Sequence, residues 1–302
     1  MIPINSLRLE RAPMSSKTIR SLLIITSLIC LSACSTVKVT TRDFIISDQD
    51  LQAQNRKVPS KELAPLQKRL DSIQFSPRDF TMSDGTVIRG ILHQHPQAQA
   101  TIILYGNNTF RVAQQAQVLL KSLAHLPLNI VQFDYRGYGR SDGTPSADLL
   151  KSDALSIYDE IKTNFPGPII VHGHSFGSFV AAYVAANRNP DALVLEGTST
   201  SANDFIRAMT PWYAKPFVSF DIEPALLDYD NQLMLTRYLN PLLILVGAND
   251  TVTPTAAAKA LFSSAPSPLK FFKEIGNADH MNLIQQAESQ TVYAEFIGNL
   301  KR

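Results

Sequence analysis

The chain has 302 residues, 45% of them hydrophobic and 18% charged, enough for one large or two small domains with a continuous core. That composition excludes a disordered or coiled-coil protein. The formal net charge is +2, but removing residues 1–33 leaves 24 basic against 25 acidic residues, so the remainder is not a basic nucleic-acid binder.

The amino terminus reads as a targeting segment outside the fold. Lys17 and Arg20 precede an apolar run over 21–31 that is too short to span a bilayer comfortably. The run closes on Leu31-Ser32-Ala33-Cys34, which resembles the bacterial lipobox, where cleavage precedes a cysteine that becomes lipid-modified. The resemblance implies a signal peptide over 1–33, an acylated Cys34 and a lipid-anchored protein of the bacterial cell envelope. An ordinary signal peptide that ends near a cysteine is the alternative. The stretch before Lys17 is long for a basic leader, which points to a translation start at Met14. The uncharged Ser35 after the cysteine points to the periplasmic side of the outer membrane. Cys30 falls in the discarded segment, so the mature chain has neither a disulfide pair nor a thiol set for zinc. No metal or other cofactor is expected.

Residues 34–74 are expected to form the lipidated terminus, a polar tether and one docking helix over 60–73, where Leu63, Leu66, Leu70 and Ile73 fall at helical spacing. The main domain is expected over 75–302. Short strand-like runs over 79–82 and 87–92 flank Ser83-Asp84-Gly85, which predicts an antiparallel hairpin at its start. The pattern continues as strand 100–105, helix 110–124, strand 129–134, helix 146–164, strand 168–172, helix 179–187 and strand 192–196. This alternation predicts an α/β fold, a mostly parallel central sheet flanked by helices on both faces. It pauses over about 198–240, where Phe205, Trp212, Tyr213, Phe217, Phe220 and Tyr229 are interrupted by Pro211, Pro216 and Pro224; this reads as a small lid insertion. The sheet resumes with strand 242–246, helix 255–262, strand 269–273 and a closing helix over 286–300.

Strand 168–172 runs into Gly173-His174-Ser175-Phe176-Gly177. A G-x-S-x-G sequence between a strand and a helix lifts its serine on a sharp turn at the carboxyl edge of the sheet. A serine hydroxyl is a weak nucleophile and needs a base, which in turn needs an orienting group. In this arrangement the partners follow in the order serine, acid, histidine. Asp250, in the loop after strand 242–246, and His280, after strand 269–273, keep that order, and parallel strands bring all three loops to one edge. Other histidines fit less well. His172 lies on the strand and His174 at the variable site of the elbow, so both read as packing or supporting groups, and His93, His95 and His125 lie elsewhere. Asp279 is awkwardly placed to orient its own neighbour, and Asp134 and Asp142 precede the serine and read as structural. Arg136 and Arg140 read as loop-stabilising, with binding of an anionic headgroup as the alternative.

On these motifs the chain resembles α/β-hydrolase fold serine hydrolases over 75–300. The family's elbow matches residues 173–177, its G-x-x-D-x-x-x-P acid loop residues 247–254, its late histidine His280, and its D-x-R-G-x-G-x-S segment residues 134–141. The resemblance is nearest to the branch of membrane-associated acyl hydrolases and depalmitoylating enzymes, and more broadly to serine aminopeptidase-like sequences. It implies a Ser175–Asp250–His280 triad and an oxyanion hole built from the backbone N–H of Phe176 and, by likeness to the family's H-G-N motif, of Asn107. Tyr105 stands where that motif has histidine. The implied activity is hydrolysis of ester or thioester bonds to an apolar acyl group, palmitoyl among them, at a membrane surface. The alternatives are a peptidase or amidase with the same triad, and a catalytically silent envelope lipoprotein with a binding role.

Overall fold

The structure, a computed structural model, describes residues 35–300. The expected leader over 1–33 and Cys34 lie outside the described residues. Tertiary contacts divide the chain into a small unit, residues 35–37 with Pro211–Asp221, and a large one from Lys38–Thr210 and Ile222 onward.

In chain order the first elements are β1 (Ser35–Val39), α1 (Thr41–Phe44), α2 (Asp48–Ala53), α3 (Ala64–Arg69), β2 (Ser76–Thr81), β3 (Val87–His93), β4 (Ala100–Tyr105) and α4 (Val112–Leu123). They continue as β5 (Leu128–Phe133), α5 (Ala147–Asn164), β6 (Ile169–His174), α6 (Phe176–Arg188), β7 (Ala192–Glu196), α7 (Ala202–Ala208) and β8 (Val218–Ile222). The last are α8 (Pro224–Leu227), α9 (Asn231–Met234), β9 (Leu242–Gly247), α10 (Thr255–Ser264), β10 (Lys270–Ile275) and α11 (Ala287–Asn299).

Eight strands form one sheet in the order β10-β9-β7-β6-β4-β5-β3-β2. The six from β10 to β5 are parallel; β3 runs antiparallel to β5, and β2 to β3. Strands β4, β5, β7 and β9 are buried at every residue, which is why their sequences are mostly apolar, with Thr101 on β4, Asn129 and Gln132 on β5 and the terminal Glu196 on β7 as polar exceptions. The helices show the complementary pattern: α4 buries Val112, Ala113, Ala116, Leu119, Leu120 and Leu123, one stripe at 3.6-residue spacing. The fold is therefore the expected α/β one, with the hairpin at Ser83-Asp84-Gly85 opening the antiparallel edge. From β4 the chain steps one way to β5 and from β6 the other way to β7, so the order reverses between β4 and β6. In open α/β sheets ligands bind at the carboxyl ends of strands flanking such a reversal.

The docking helix is shorter than its spacing predicts. It spans Ala64–Arg69 with Pro65 in its first turn, yet Leu66 and Leu70 are buried in the main core, with Leu63 and Ile73 packed against it. The preceding stretch is also held to the body. Asp48, at the start of α2, accepts a hydrogen bond of 2.9 Å from Arg111 Nε, and both side chains are buried. Arg111 also donates to the Ile46 carbonyl and lies 3.8 Å from the Tyr138 ring centroid. Removing one partner of a buried pair strands the other charge, so Asp48→Ala should lower unfolding free energy by about 3 kcal/mol, read from urea midpoints.

The segment expected as a lid is divided. Its flanks belong to the large unit, where Tyr229 packs on Phe176 and Phe179, and buried Asn231 donates to Thr198 Oγ1 and to the Ser199 carbonyl. Pro211–Asp221 belongs to the small unit, and β8 pairs with β1 in a separate two-stranded sheet.

Candidate active site

Ser175 follows β6 directly and caps α6 with φ +54° and ψ −120°, a sparsely populated conformation for a non-glycine residue. The surroundings enforce it. Ser175 N donates to the Glu196 carbonyl on β7 at 2.8 Å, and α6 begins at the next residue. The two elbow glycines permit the close approach this needs. A Cβ on Gly173 would lie 2.6 Å from the Ala181 Cβ, and one on Gly177 would collide with the Tyr105 carbonyl. The loop after β4 is thereby seated against the first turn of α6.

His280, in the loop after β10, places Nε2 2.7 Å from Ser175 Oγ. Its Nδ1 lies 2.8 Å from Asp250 Oδ2. The carboxylate accepts, so Nδ1 carries the proton and Nε2 is free to accept from the serine hydroxyl. Asp250 is locked in turn: Oδ1 accepts from the N–H groups of Val252 and Thr253, and Oδ2 from Thr253 Oγ1 at 2.6 Å. Burial works to raise the Asp250 carboxyl, but the hydrogen bonds from His280 and Thr253 outweigh it and hold the group below its ordinary value, hence ionised. The three residues singled out from chain order thus stand in one hydrogen-bonded row.

Phe176 is the first residue of α6, where a backbone N–H has no intrahelical partner and the helix dipole favours negative charge. The Asn107 side chain is committed elsewhere. Its Oδ1 accepts from Thr109 N and Oγ1, which turns Nδ2 toward His174 Nδ1 at 3.3 Å. These side-chain bonds leave the expected role of Asn107 to its backbone N–H. Tyr105, in place of the motif's histidine, is fully buried and donates its hydroxyl to the Ala154 carbonyl on α5.

His174 does more than pack. Its Nε2–H donates to the His280 carbonyl at 2.9 Å, so Nδ1 accepts from Asn107 and one neutral ring joins the loop after β4 to the loop carrying His280. Burial lowers its pKa below the ordinary imidazole value, against the pull of the Glu196 charge. His174→Phe keeps a ring but loses both hydrogen bonds, and it should lower kcat about 10²-fold with KM little changed, the loss expected for a catalytic group displaced by about 1 Å. The unfolded chain takes up a proton near pH 6.5, before the folded one does, so stability linked to His174 is complete above about pH 6.5 and falls below it. Urea midpoints at about pH 7.5 and 5.5 should therefore lie closer together in the variant than in wild type.

Glu196 and Thr253 escaped the sequence reading. Glu196 ends an otherwise apolar strand, accepts from His172 at 3.0 Å and from Ile284 N at 3.0 Å, and so ties β6 to the segment following His280. A carboxylate closing the run Ala-Leu-Val-Leu was the available signal. Thr253, three residues after Asp250, was legible as a turn residue but not as a partner of the carboxylate. The residues set aside are occupied structurally. Asp134 accepts from Val112 N and Arg140 N, Arg136 is held by Asp153 and Asp84, Arg140 donates to the Gly90 carbonyl, and Asp279 caps its own turn. His93 bonds the Gln74 carbonyl. An apolar cavity of about 60 Å³ adjoins the site, lined among others by Leu104, Asn107, Phe110, Leu119, His174 and Met281.

Comparison with known proteins points to the same fold. A family model described as serine aminopeptidase, S33, matches residues 111–238, which include Ser175. An esterase from Pyrococcus furiosus superposes with a TM-score of 0.64 at 19% identity, covering 80% of this chain and 98% of its own. The chain has the α/β-hydrolase fold. Among curated relatives, the lysophosphatidylserine lipase ABHD12 of Danio rerio is 34% identical over 185 residues, 56% of this chain and 48% of the relative. Protein bem46 of Schizosaccharomyces pombe is 27% identical over 231 residues, 73% of this chain and 75% of the relative. The chain spans about half the length of the lipases it matches.

Proposed function

We propose that the chain is a serine hydrolase that cleaves ester or thioester bonds of a lipidic, apolar acyl substrate. The observation that carries the reading is the Ser175 Oγ–His280 Nε2–Asp250 row, with its 2.7 and 2.8 Å links. In the first half-reaction Ser175 Oγ attacks the acyl carbon while its proton passes to His280 Nε2. The oxyanion is held by the backbone N–H groups of Phe176 and Asn107, each contributing on the order of 3 kcal/mol. The tetrahedral adduct collapses, the bond to the leaving oxygen or sulfur breaks, and that atom takes the proton from the imidazolium. In the second half-reaction water loses a proton to His280 and attacks the acyl-serine; as the bond to Ser175 Oγ breaks, the imidazolium returns that proton to Oγ and the carboxylic acid leaves. Asp250 stabilises the imidazolium formed in each half.

The lipase and esterase relatives support an ester substrate, and the apolar cavity beside His174 supports an apolar group. The family description favours a second reading, an aminopeptidase with the same triad. Hydrolysis of p-nitrophenyl esters of increasing acyl length, run beside aminoacyl p-nitroanilides, separates the two. Esters should be turned over faster, with acetate slower than longer chains; faster anilide cleavage would favour the peptidase. We further propose that Cys34 is lipidated and anchors the enzyme in the cell envelope. Fractionation of Cys34→Ala should then move activity away from mature membrane-bound protein.

A further inference from the structure

We infer that the small unit, residues 35–37 with Pro211–Asp221, is a membrane-docking device whose exposed aromatic residues enter the headgroup region of a lipid bilayer. Trp212 is 82% exposed and Tyr213 64%, their rings in edge contact at 6.0 Å, and Val37 and Phe217 are exposed beside them in sequence or within the same unit. Isolated exposed apolar residues are ordinary, but a Trp–Tyr pair followed within five residues by a further exposed aromatic is a concentrated apolar surface. Lys215 stands exposed between Tyr213 and Phe217. Amphipathic Trp and Tyr rings interleaved with a lysine match the water–lipid boundary, where the ring bodies are apolar and their polar ends and the ammonium meet headgroups.

The chain outside the described residues argues for lipid rather than protein as the occupant. Thr36 Oγ1 meets Ser219 Oγ at 2.9 Å, two residues after Phe217, so the start of β1 is fastened to the segment that carries the aromatics. Cys34 is two residues before Thr36, and two residues reach at most about 7 Å. Any acyl chain on Cys34 would therefore hold this unit at the bilayer surface, where its exposed aromatics would otherwise remain in water. The inference rests in part on the proposed lipidation, and it goes beyond it: the aromatics supply a second, reversible contact with the bilayer.

Trp212 is the only tryptophan in the chain, so its fluorescence reports on this unit alone. The full-length protein would be reconstituted into phosphatidylethanolamine–phosphatidylglycerol vesicles with plain or brominated acyl chains. Emission at shorter wavelength than in Trp212 exposed to water, quenching by the bromines and severalfold lower quenching by aqueous iodide are expected. Tyr213→Ser/Phe217→Ser, with Trp212 retained, should reverse part of each change. Protein that floats with the vesicles while Trp212 stays open to iodide and indifferent to bromine would overturn docking and leave anchoring intact, as would iodide shielding by self-association without bromine quenching. Bromine quenching in protein whose mass shows an unmodified Cys34 would support docking while overturning the anchor. Fluorophosphonate labelling of the same sample reports on the hydrolase reading separately.

Discussion

A His280→Ala variant is expected to lose about 10⁶-fold in kcat toward an ester substrate, the scale seen when the base of a concerted serine–histidine unit is removed. Without Nε2 at 2.7 Å, the Ser175 hydroxyl has nothing to take its proton, and the leaving group has nothing to supply one. The variant should remain folded. Asp250, left without the imidazole, still accepts from Val252 N, Thr253 N and Thr253 Oγ1, so its carboxylate keeps three donors. Kinetics on protein with an unchanged urea midpoint make the check; a loss below about tenfold would mean that another group serves as base.

The second large effect concerns the tautomer rather than the base itself. In Asp250→Asn the amide can turn its NH2 toward His280 Nδ1, which favours the ring form with the proton on Nε2, the wrong side for accepting from Ser175. The expected loss in kcat is about 10⁴-fold at neutral pH. The same substitution changes acid stability with a definite sign. Because the Asp250 carboxyl is held below its ordinary value, the stability linked to it is present above about pH 4 and is lost as pH falls through the folded-state value. The variant should have a flatter stability profile below about pH 4 than wild type, measured by chemical denaturation.

What was legible in the sequence follows from how local each feature is. Strands β4, β7 and β9 announced themselves because burial on both faces demands mostly apolar residues, and the elbow because its two glycines are required by contacts a few ångströms away. Ser175, Asp250 and His280 could be named from loop order alone, since a parallel sheet gathers every carboxyl end at one edge. The hidden features are links across long sequence separation. Nothing near His174 in sequence indicates that its ring bonds the carbonyl of His280, 106 residues on, and Glu196 reaches Ile284 across 88. The stretch before the docking helix reads as a tether because its polar composition conceals single buried contacts such as Asp48 with Arg111. The apolar spacing of Leu63 and Ile73 extends the expected docking helix beyond the six residues Ala64–Arg69 that are helical, with Pro65 in the first turn and a turn after Arg69. Composition alone likewise gave no sign that Pro211–Asp221 separates from its flanks and joins residues 35–37.

The central claim is that Ser175 is an activated nucleophile, and covalent labelling tests it without knowledge of the natural substrate. The purified full-length protein would be treated with a fluorophosphonate and examined by intact mass and peptide mapping. One adduct per chain, on Ser175, is the expected result, with none in Ser175→Ala and sharply slowed labelling in His280→Ala. Folded wild-type protein that takes up no adduct, or that carries it equally in Ser175→Ala, would contradict the account.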